Sequence, residues 1–400
     1  MIGGMSYEKP FANLKVLDLS QGYAGPYCAG LLAQYGAQIT KVEPPEGDWA
    51  RGLGRIFGDH TTISMTANRG KKSIALNLKT PGGLAVVQEL AENCDVFMEG
   101  FRPGVCARFG LSYEDVRKVN PGVIYLSVSG YGQEGPYAGQ ASTDTVAQAF
   151  SGLMSINRGN DDIPHRFGHF IVDCVTALYA YQALSTALYA RRDEVAGRFI
   201  DCSLMQAAAA VQTSKIADFY LEDGAPTANN APAGSYNTKD GFIAVTLVKE
   251  EQFKQLCPAL GIGDLADDPR YANFASRAAN MDTLKPAIQN ALMAHTAAAW
   301  SERFKEAGIL GHPVADYGDW MADPHVIATK AFQMMSQPGM GPVPLAQIPG
   351  AALIDPDDPD QQAPRLGEHS RDILVAMGYD ESKIAELAAQ GAVHFSPDAN

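Results

Sequence analysis

"LKVLDLSQGYAGPYCAGLLAQYGAQITKVEPPEGD", residues Leu14 to Asp48, decides the fold class. Leu14 to Ser20 is a short apolar strand, "GYAGPYCAGLLAQYG" is a loop running into a helix, and "AQITKVEPP" is a second strand. A strand, a crossover helix and another strand open a parallel sheet. The pattern continues outward. "KSIALNL" (Lys72 to Leu78) is a further strand, and "TPGGLAVVQELAENC" has helical spacing with a proline in its first turn. "DVFMEGF" and then "VIYLSVSGYG" (Val123 to Gly132) return to strand. Roughly the first 200 residues therefore read as a Rossmann-like α/β domain of nucleotide-binding type.

The texture changes at Met205. "MQAAAAVQTSKIADFYLEDG" is helical and leads into a polar loop of small residues. "GFIAVTLV" (Gly241 to Val248) is a strand, and helices follow through about Gly308. Short strands are expected around "HPVADYG" and "FQMMSQPGMGPVPLAQIPGAAL", and two helices in the tail from Arg365 to Val393. The expected division is a large domain over 1–205, a linker and smaller α+β domain over 206–330, and a C-terminal segment, 331–400, returning to the large domain.

A chain of 400 residues has room for a large core and two domains. Hydrophobic content of 46% and charged content of 19% are ordinary for a globular enzyme. The net charge of -14 argues against nucleic-acid or anionic-membrane partners. A small anionic ligand would need local basic groups set against that field. The six cysteines form no CxxC pair and read as reduced, buried thiols of a cytoplasmic protein. The eight histidines show no HExxH spacing, so no metal site is expected. "MIGGMSYEKP" lacks the apolar core of a secretory signal. No apolar run reaches about 18 residues without a charged or polar break, so no transmembrane span is expected.

Three motifs fail. G-x-G-x-x-G is missing after the first strand, and "GLGRIFG" (Gly52 to Gly58) has the wrong spacing in the wrong place. No G-x-S-x-G nucleophile elbow is present. "RGKKS" lacks the upstream glycine of a P-loop and reads as a solvated basic turn.

One acid stands out. "GHFIVDCVTALYAYQALSTALYARR" is an apolar helix with Asp173 near its start, ahead of a stripe through Val175, Leu178, Tyr181 or Gln182, and Leu188. Asp173 is either a helix cap or a reactive carboxylate. The two are compatible, because a helix start lowers a carboxylate's pKa and keeps it ionised, as a nucleophile must be.

The quoted opening is similar to that of the class III CoA-transferases, the family of formyl-CoA transferase, the carnitine CoA-transferases and the α-methylacyl-CoA racemases. Further matches follow in family order: "NRGKKSIALNLKTPGG", "GFRPGVCARFGLSYEDV", "NPGVIYLSVSGYGQEGPYAG", "DTVAQAFSGLM", "GRFIDCSLMQA" and "LGEHSRDIL". The resemblance implies CoA transfer from an acyl-CoA to a free carboxylic acid. The nucleophilic aspartate falls on Asp173 and the acid near it on Asp144. The implied route runs through an aspartyl-acyl anhydride and an aspartyl-CoA thioester. CoA contacts fall on Tyr23 and Ala24, on Leu76, Asn77, Leu78 and Lys79, on Gly100, Phe101 and Arg102, and on Arg108. Lys79, Arg102 and Arg108 would supply positive charge for the CoA phosphates. Coenzyme A enters as a substrate and no resident cofactor is implied. An interlocked homodimer is implied as well.

The chain departs from the formyl-CoA transferase pattern in several places. Pro44 replaces a basic phosphate contact, which is then either lost or taken over by Lys41 or Arg51. Tyr23 replaces a glutamine, Leu53 a tryptophan, and the glycine-rich lid shrinks to "APAGSYN" (Ala231 to Asn237). These changes point away from oxalate and formate toward a larger or more apolar acyl group. Arg51, Arg55 and Arg166 hint at dicarboxylic acids such as succinate, mesaconate or itaconate. In the racemase branch a histidine acts as base where this chain has Thr143, which cannot do so at neutral pH. His165 and His169 lie near Asp173 in sequence but off that position. Transfer is thus favoured over racemisation, and over a non-catalytic CoA-binding role that would not need Asp173.

Overall fold

The computed structural model describes residues 9–158, 163–193, 196–224 and 229–396. It divides into two compact units. Residues up to Gln212 and from Lys330 onward form the larger, and Thr213–Thr329 the smaller.

The larger unit begins with β1 (Lys15–Asp18), α1 (Ala24–Gln34), β2 (Gln38–Glu43), α2 (Thr62–Asn68), β3 (Lys71–Leu76), α3 (Pro81–Glu92) and β4 (Val96–Glu99). It continues with α4 (Val105–Arg108), α5 (Tyr113–Val119), β5 (Ile124–Ser129), α6 (Asp144–Phe150), α7 (Ile171–Ala190), β6 (Arg198–Ser203) and α8 (Leu204–Val211). Strands β1 to β6 are all parallel and lie in the order β3-β2-β1-β4-β5-β6. That is the strand order of doubly wound dinucleotide-binding sheets, in which ligands bind beyond the carboxyl ends of the strands.

Every residue of β4 and β5 is buried, as befits strands covered on both faces. Side chains alternate between two cores. Leu17, Phe97 and Tyr125 point to one face, where they meet Val86 and Val87 of α3. Val16, Val96, Met98, Ile124 and Leu126 point to the other, where they meet α1 and α7 through Cys28, Ala29, Leu32, Ala177, Ala180 and Leu184. The small residues let the two helices approach the sheet closely. The observed strands are shorter than the apolar runs that announce them. β1 stops at Asp18 because its carboxylate takes the Ser20 N–H at 3.0 Å, ending the ladder there. At α3 the Thr80 hydroxyl accepts from Gly83 N at 3.2 Å and Pro81 occupies the first turn, as the sequence indicates.

The smaller unit contains an antiparallel sheet of β7 (Gly234–Asn237), β8 (Phe242–Thr246) and β9 (Leu310–Pro313), packed with helices around Trp300, Phe253 and Phe304. The strand expected over "HPVADYG" ends at Pro313. Tyr317–Ala322 is helical instead, because Asp316 and Asp319 form a capping box at its start. Back in the larger unit, β10 (Phe332–Gln337) and β11 (Gly341–Ala346) form a hairpin. After helices Ser370–Ala376 and Glu381–Ala389, β12 (Val393–His394) pairs antiparallel with β3. Among the described residues this completes a seven-stranded, mainly parallel sheet.

The "RGKKS" segment is not a solvated turn. Lys71 opens β3 and is buried, its Nζ 2.9 Å from Asp18, 2.7 Å from Pro26 O and 2.9 Å from Asn68 Oδ1. The strand points it inward beneath α1 and α2, where an acid and two other acceptors await it.

Candidate active site

The loop after β1 is held by buried charges. Asp18 Oδ1 accepts from Ser20 N and from its hydroxyl, and Lys71 takes the other oxygen. Lys41 donates to Ser20 O and lies 3.1 Å from Asp48. Asp48 accepts from Gly22 N at 3.0 Å. Gly22 has φ +83° and a Cβ there would sit 2.3 Å from the Trp49 ring, so glycine is required on both counts. Glu43 holds Arg51 through two bonds of 2.7 and 2.8 Å and accepts from Ser73 at 2.7 Å. Burial pushes the Glu43 carboxyl up, but Arg51, Lys41 and Ser73 more than reverse this, to about 2. Burial pulls Lys71 down to about 8. Burial also acts to raise Asp18, yet Lys71, Lys41 and Ser20 hold it below the usual carboxylate range. Lys41 and Arg51 are thus committed to this framework, and the expectation that either replaces the missing phosphate contact is corrected.

The fixed loop delivers Tyr23 to the start of α1. Its ring stacks on Tyr27 with centroids 5.2 Å apart and lies edge-on to His169 and near Phe170, each at 6.2 Å. The residue after Asp173 completes the contact: Cys174 Sγ lies 3.7 Å from His169 Nε2. Burial, followed by the Asp173 charge, pushes the Cys174 thiol up to about 11.

Asp173 occupies the first turn of α7, but it does not cap it. The N-cap position is Phe170, which offers no side-chain acceptor. Asp144, from the first turn of α6, does the capping from outside. Its Oδ2 accepts from Val172 N at 2.7 Å and from Asp173 N at 3.1 Å. Its Oδ1 accepts from Gln148 Nε2 at 2.5 Å, and Gln148 Oε1 accepts from Phe167 N at 2.8 Å. Asp144 and Gln148 are both buried. Two consequences follow. The free N–H groups expected to keep Asp173 ionised are already used by a second acid. Burial, and then the Asp144 charge, instead push the Asp173 carboxyl up to about 7. Among the described residues, no hydrogen bond reaches the Asp173 carboxylate. A carboxylate made more basic than usual, and left without donors, is a stronger nucleophile whenever it is ionised.

The remaining expected contacts lie along the same edge of the sheet. Ala24 is buried at the start of α1. Gly100 follows β4 and abuts the β1 loop, since a Cβ there would lie 3.3 Å from Ser20 Cβ. Phe101 donates its N–H to Glu99 at 2.8 Å while its ring packs on the first core. Tyr23, Ala24, Gly100, Asp144 and Asp173 are thereby linked around one loop. Leu76 ends β3 and Asn77 to Lys79 follow it, separated from β1 by β2. The Leu76 side chain is 1% exposed and belongs to the core, so Asn77, Leu78 and Lys79 carry the reachable side chains of that stretch. Lys79, Arg102 and Arg108 are exposed, and among the described residues none has a carboxylate partner. Of the arginines suggestive of diacids, Arg55 lies 5.0 Å over the Phe57 ring and Arg166 donates to Phe167 O at 3.5 Å. Gln148, Cys174, Tyr27 and Phe170 belong to the site without any sequence signal pointing to them.

The model of CoA-transferase family III matches residues 11–370. The chain is 34% identical to the mouse succinyl-CoA:glutarate CoA-transferase over 96% of this chain and 90% of that protein. It is 34% identical to the acetyl-CoA:oxalate CoA-transferase of Acetobacter aceti over 94% of this chain and 97% of that protein. A CaiB/BaiF family protein from Brucella suis superimposes with a TM-score of 0.80 at 29% identity, covering 92% of this chain and all of that one.

Proposed function

The chain belongs to CoA-transferase family III, and from that premise we propose that it moves CoA from an acyl-CoA thioester to a free carboxylic acid with Asp173 as covalent relay. The Asp173 carboxylate attacks the thioester carbonyl, the carbon–sulfur bond breaks, and an aspartyl-acyl anhydride forms with CoA thiolate held nearby. The thiolate attacks the aspartyl carbonyl and releases the donor acid, leaving an aspartyl-CoA thioester. The acceptor carboxylate attacks that thioester, expelling thiolate and forming a second anhydride. Attack of the thiolate on its acyl carbonyl yields the new acyl-CoA and restores Asp173. Each anhydride is an activated acyl donor that the retained thiolate attacks at once, so one difficult exchange is divided into several easier ones.

The observation that carries this reading is the Asp144 carboxylate seated on the N–H groups of Val172 and Asp173 in the first turn of α7. It fixes the helix start and raises the basicity of the adjacent nucleophile without touching its oxygens. Asp144 is therefore a positioning residue. Tyr23, Ala24 and the Gly100–Arg102 loop border the reacting end of CoA. Lys79, Arg102 and Arg108 meet its phosphates, with Asn77 and Leu78 beside them. Thr143, at the start of α6, offers no base of the racemase kind. An interlocked homodimer belongs to the same proposal. Exposed Leu178 and Tyr189 on α7 and Phe199 on β6, at an unpaired sheet edge, supply apolar surface for it. Six free thiols suit a cytoplasmic setting.

Trapping tests the covalent step. With succinyl-CoA or acetyl-CoA present, quenching with hydroxylamine should place a hydroxamate on the peptide carrying Asp173. The mark should vanish without acyl-CoA and in Asp173→Asn. Proton exchange at the acyl α-carbon in heavy water, with no adduct and no need for an acceptor acid, would replace transfer by racemisation.

A further inference from the structure

We propose that His169 recognises the second carboxylate of a dicarboxylic substrate; this rests on the CoA-transfer reading and names the substrate class for it. A diacid brings a non-reacting carboxylate into a pocket that already holds Asp173 and Asp144, in a chain of net charge -14. Like charges brought within a few ångströms repel, and more strongly in a protein pocket than in open water. A diacid is retained only if a cation stands within reach of the nucleophile.

The contacts beside Asp173 run from Cys174 to His169, from His169 to Tyr23 and from Tyr23 to Tyr27 and Phe170, with Asp144 at the helix start. Of these side chains only His169 can become positively charged. Lys79 and Arg102 sit on the loops after β3 and β4 and Arg108 ends α4, while the buried Lys41 and Lys71 are tied to Asp48 and Asp18. The His169 ring is exposed but not loose. It lies edge-on to Tyr23, 5.7 Å from the Phe170 ring, with Nε2 at 3.7 Å from Cys174 Sγ. Among the described residues it has no carboxylate partner. Its segment is anchored to the catalytic network, because Phe167 N donates to Gln148, which in turn holds Asp144. Arg166 lies on the same segment and adds to the local positive charge. Glutarate and oxalate, the acceptors in two relatives' names, differ in their spacer but share a second carboxylate.

The test compares pentanedioate (glutarate) with pentanoate as acceptors, using acetyl-CoA and, separately, succinyl-CoA as donors. The variants are His169→Phe, which keeps a ring against Tyr23, and His169→Lys, which keeps a cation. The wild type should prefer glutarate. His169→Phe should lower kcat/KM for glutarate by about tenfold to a hundredfold, the effect of losing a charge-assisted hydrogen bond, and leave pentanoate within about twofold. His169→Lys should recover part of the glutarate preference. Equal use of both acids by the wild type, or an equal loss on both in His169→Phe, overturns the assignment while transfer stands. If the wild type moves CoA to neither acid and gives no hydroxamate on Asp173, the CoA-transfer reading itself has failed.

Discussion

The environment of Asp173 is set in part by an acid that sequence spacing could not place beside it. Its helix has no second carboxylate within reach, and Asp144 arrives from a different helix 29 residues earlier. The sequence therefore marked Asp173 as the candidate nucleophile but mistook its environment: an N-terminal carboxylate is kept ionised only while the helix N–H groups are free to serve it. The sign of the resulting pH dependence is fixed. A carboxyl at about 7 in the folded protein, against 3.8 for the free side chain, binds its proton more tightly when folded. Its stabilising contribution is complete below pH 3.8 and is lost as pH rises through about 7. Because only the ionised form attacks, kcat/KM for acyl-CoA should rise with pH and level off above an inflection near 7, read from initial rates between pH 5 and 9. Asp144→Asn removes the neighbouring charge and should move that inflection to lower pH by roughly one unit. Asp173→Asn should abolish transfer yet raise the melting temperature at pH 8. The gain is about 1–3 kcal/mol after allowance for the part of the carboxyl that water still reaches. At pH 5, where the native carboxyl is neutral but the unfolded one is still ionised, the gain should shrink to roughly a third, and it should vanish below pH 3.8 in the same melting assay.

At the scale of elements, the β1-α1-β2 opening was legible because strand and helix periodicities alternate cleanly within 35 residues. The loop between β1 and α1 was not, since its geometry depends on charges drawn from three strands. Lys71 is 53 residues from Asp18, and a lysine in a basic run carries no mark of burial. The same holds for Lys41 and Arg51, which look like phosphate ligands in sequence and prove to be the struts that hold Gly22 and Tyr23. Here the pairing is tested by subtraction. Lys71→Met keeps the length and apolar stem of the side chain but leaves the Asp18 carboxylate buried without its main partner. Breaking a buried pair from one side costs about 3–5 kcal/mol. Chemical denaturation should show a loss of that size in the larger unit. The double variant Asp18→Asn/Lys71→Met should recover much of it, because the stranded charge is then gone.

Across the whole molecule, the chain's last segment completes the sheet that its first 76 residues begin. The sequence indicated two tail helices but gave no hint of β12, whose two residues are too few to show a periodicity. What docks that tail is polar and local. Ser370, fully buried, accepts from Ala75 N at 3.2 Å and donates to His394 O at 2.8 Å, so one hydroxyl joins β3, β12 and the helix that precedes it. A few residues on, Asn77 N donates to Ala392 O at 2.9 Å, which ties the segment expected to meet CoA to the same tail. Stability and ligand binding should therefore change together when this joint is cut. Ser370→Ala leaves a backbone N–H and a carbonyl of the joint without their partner, at a cost of about 1–3 kcal/mol. The melting temperature should fall and KM for acyl-CoA should rise, while hydroxamate formation on Asp173 at saturating acyl-CoA stays near the wild-type level, since the nucleophile lies on the far side of β2 and β1 from this edge. A fall in stability with KM unchanged would mean that the β3 loop holds its shape without the tail.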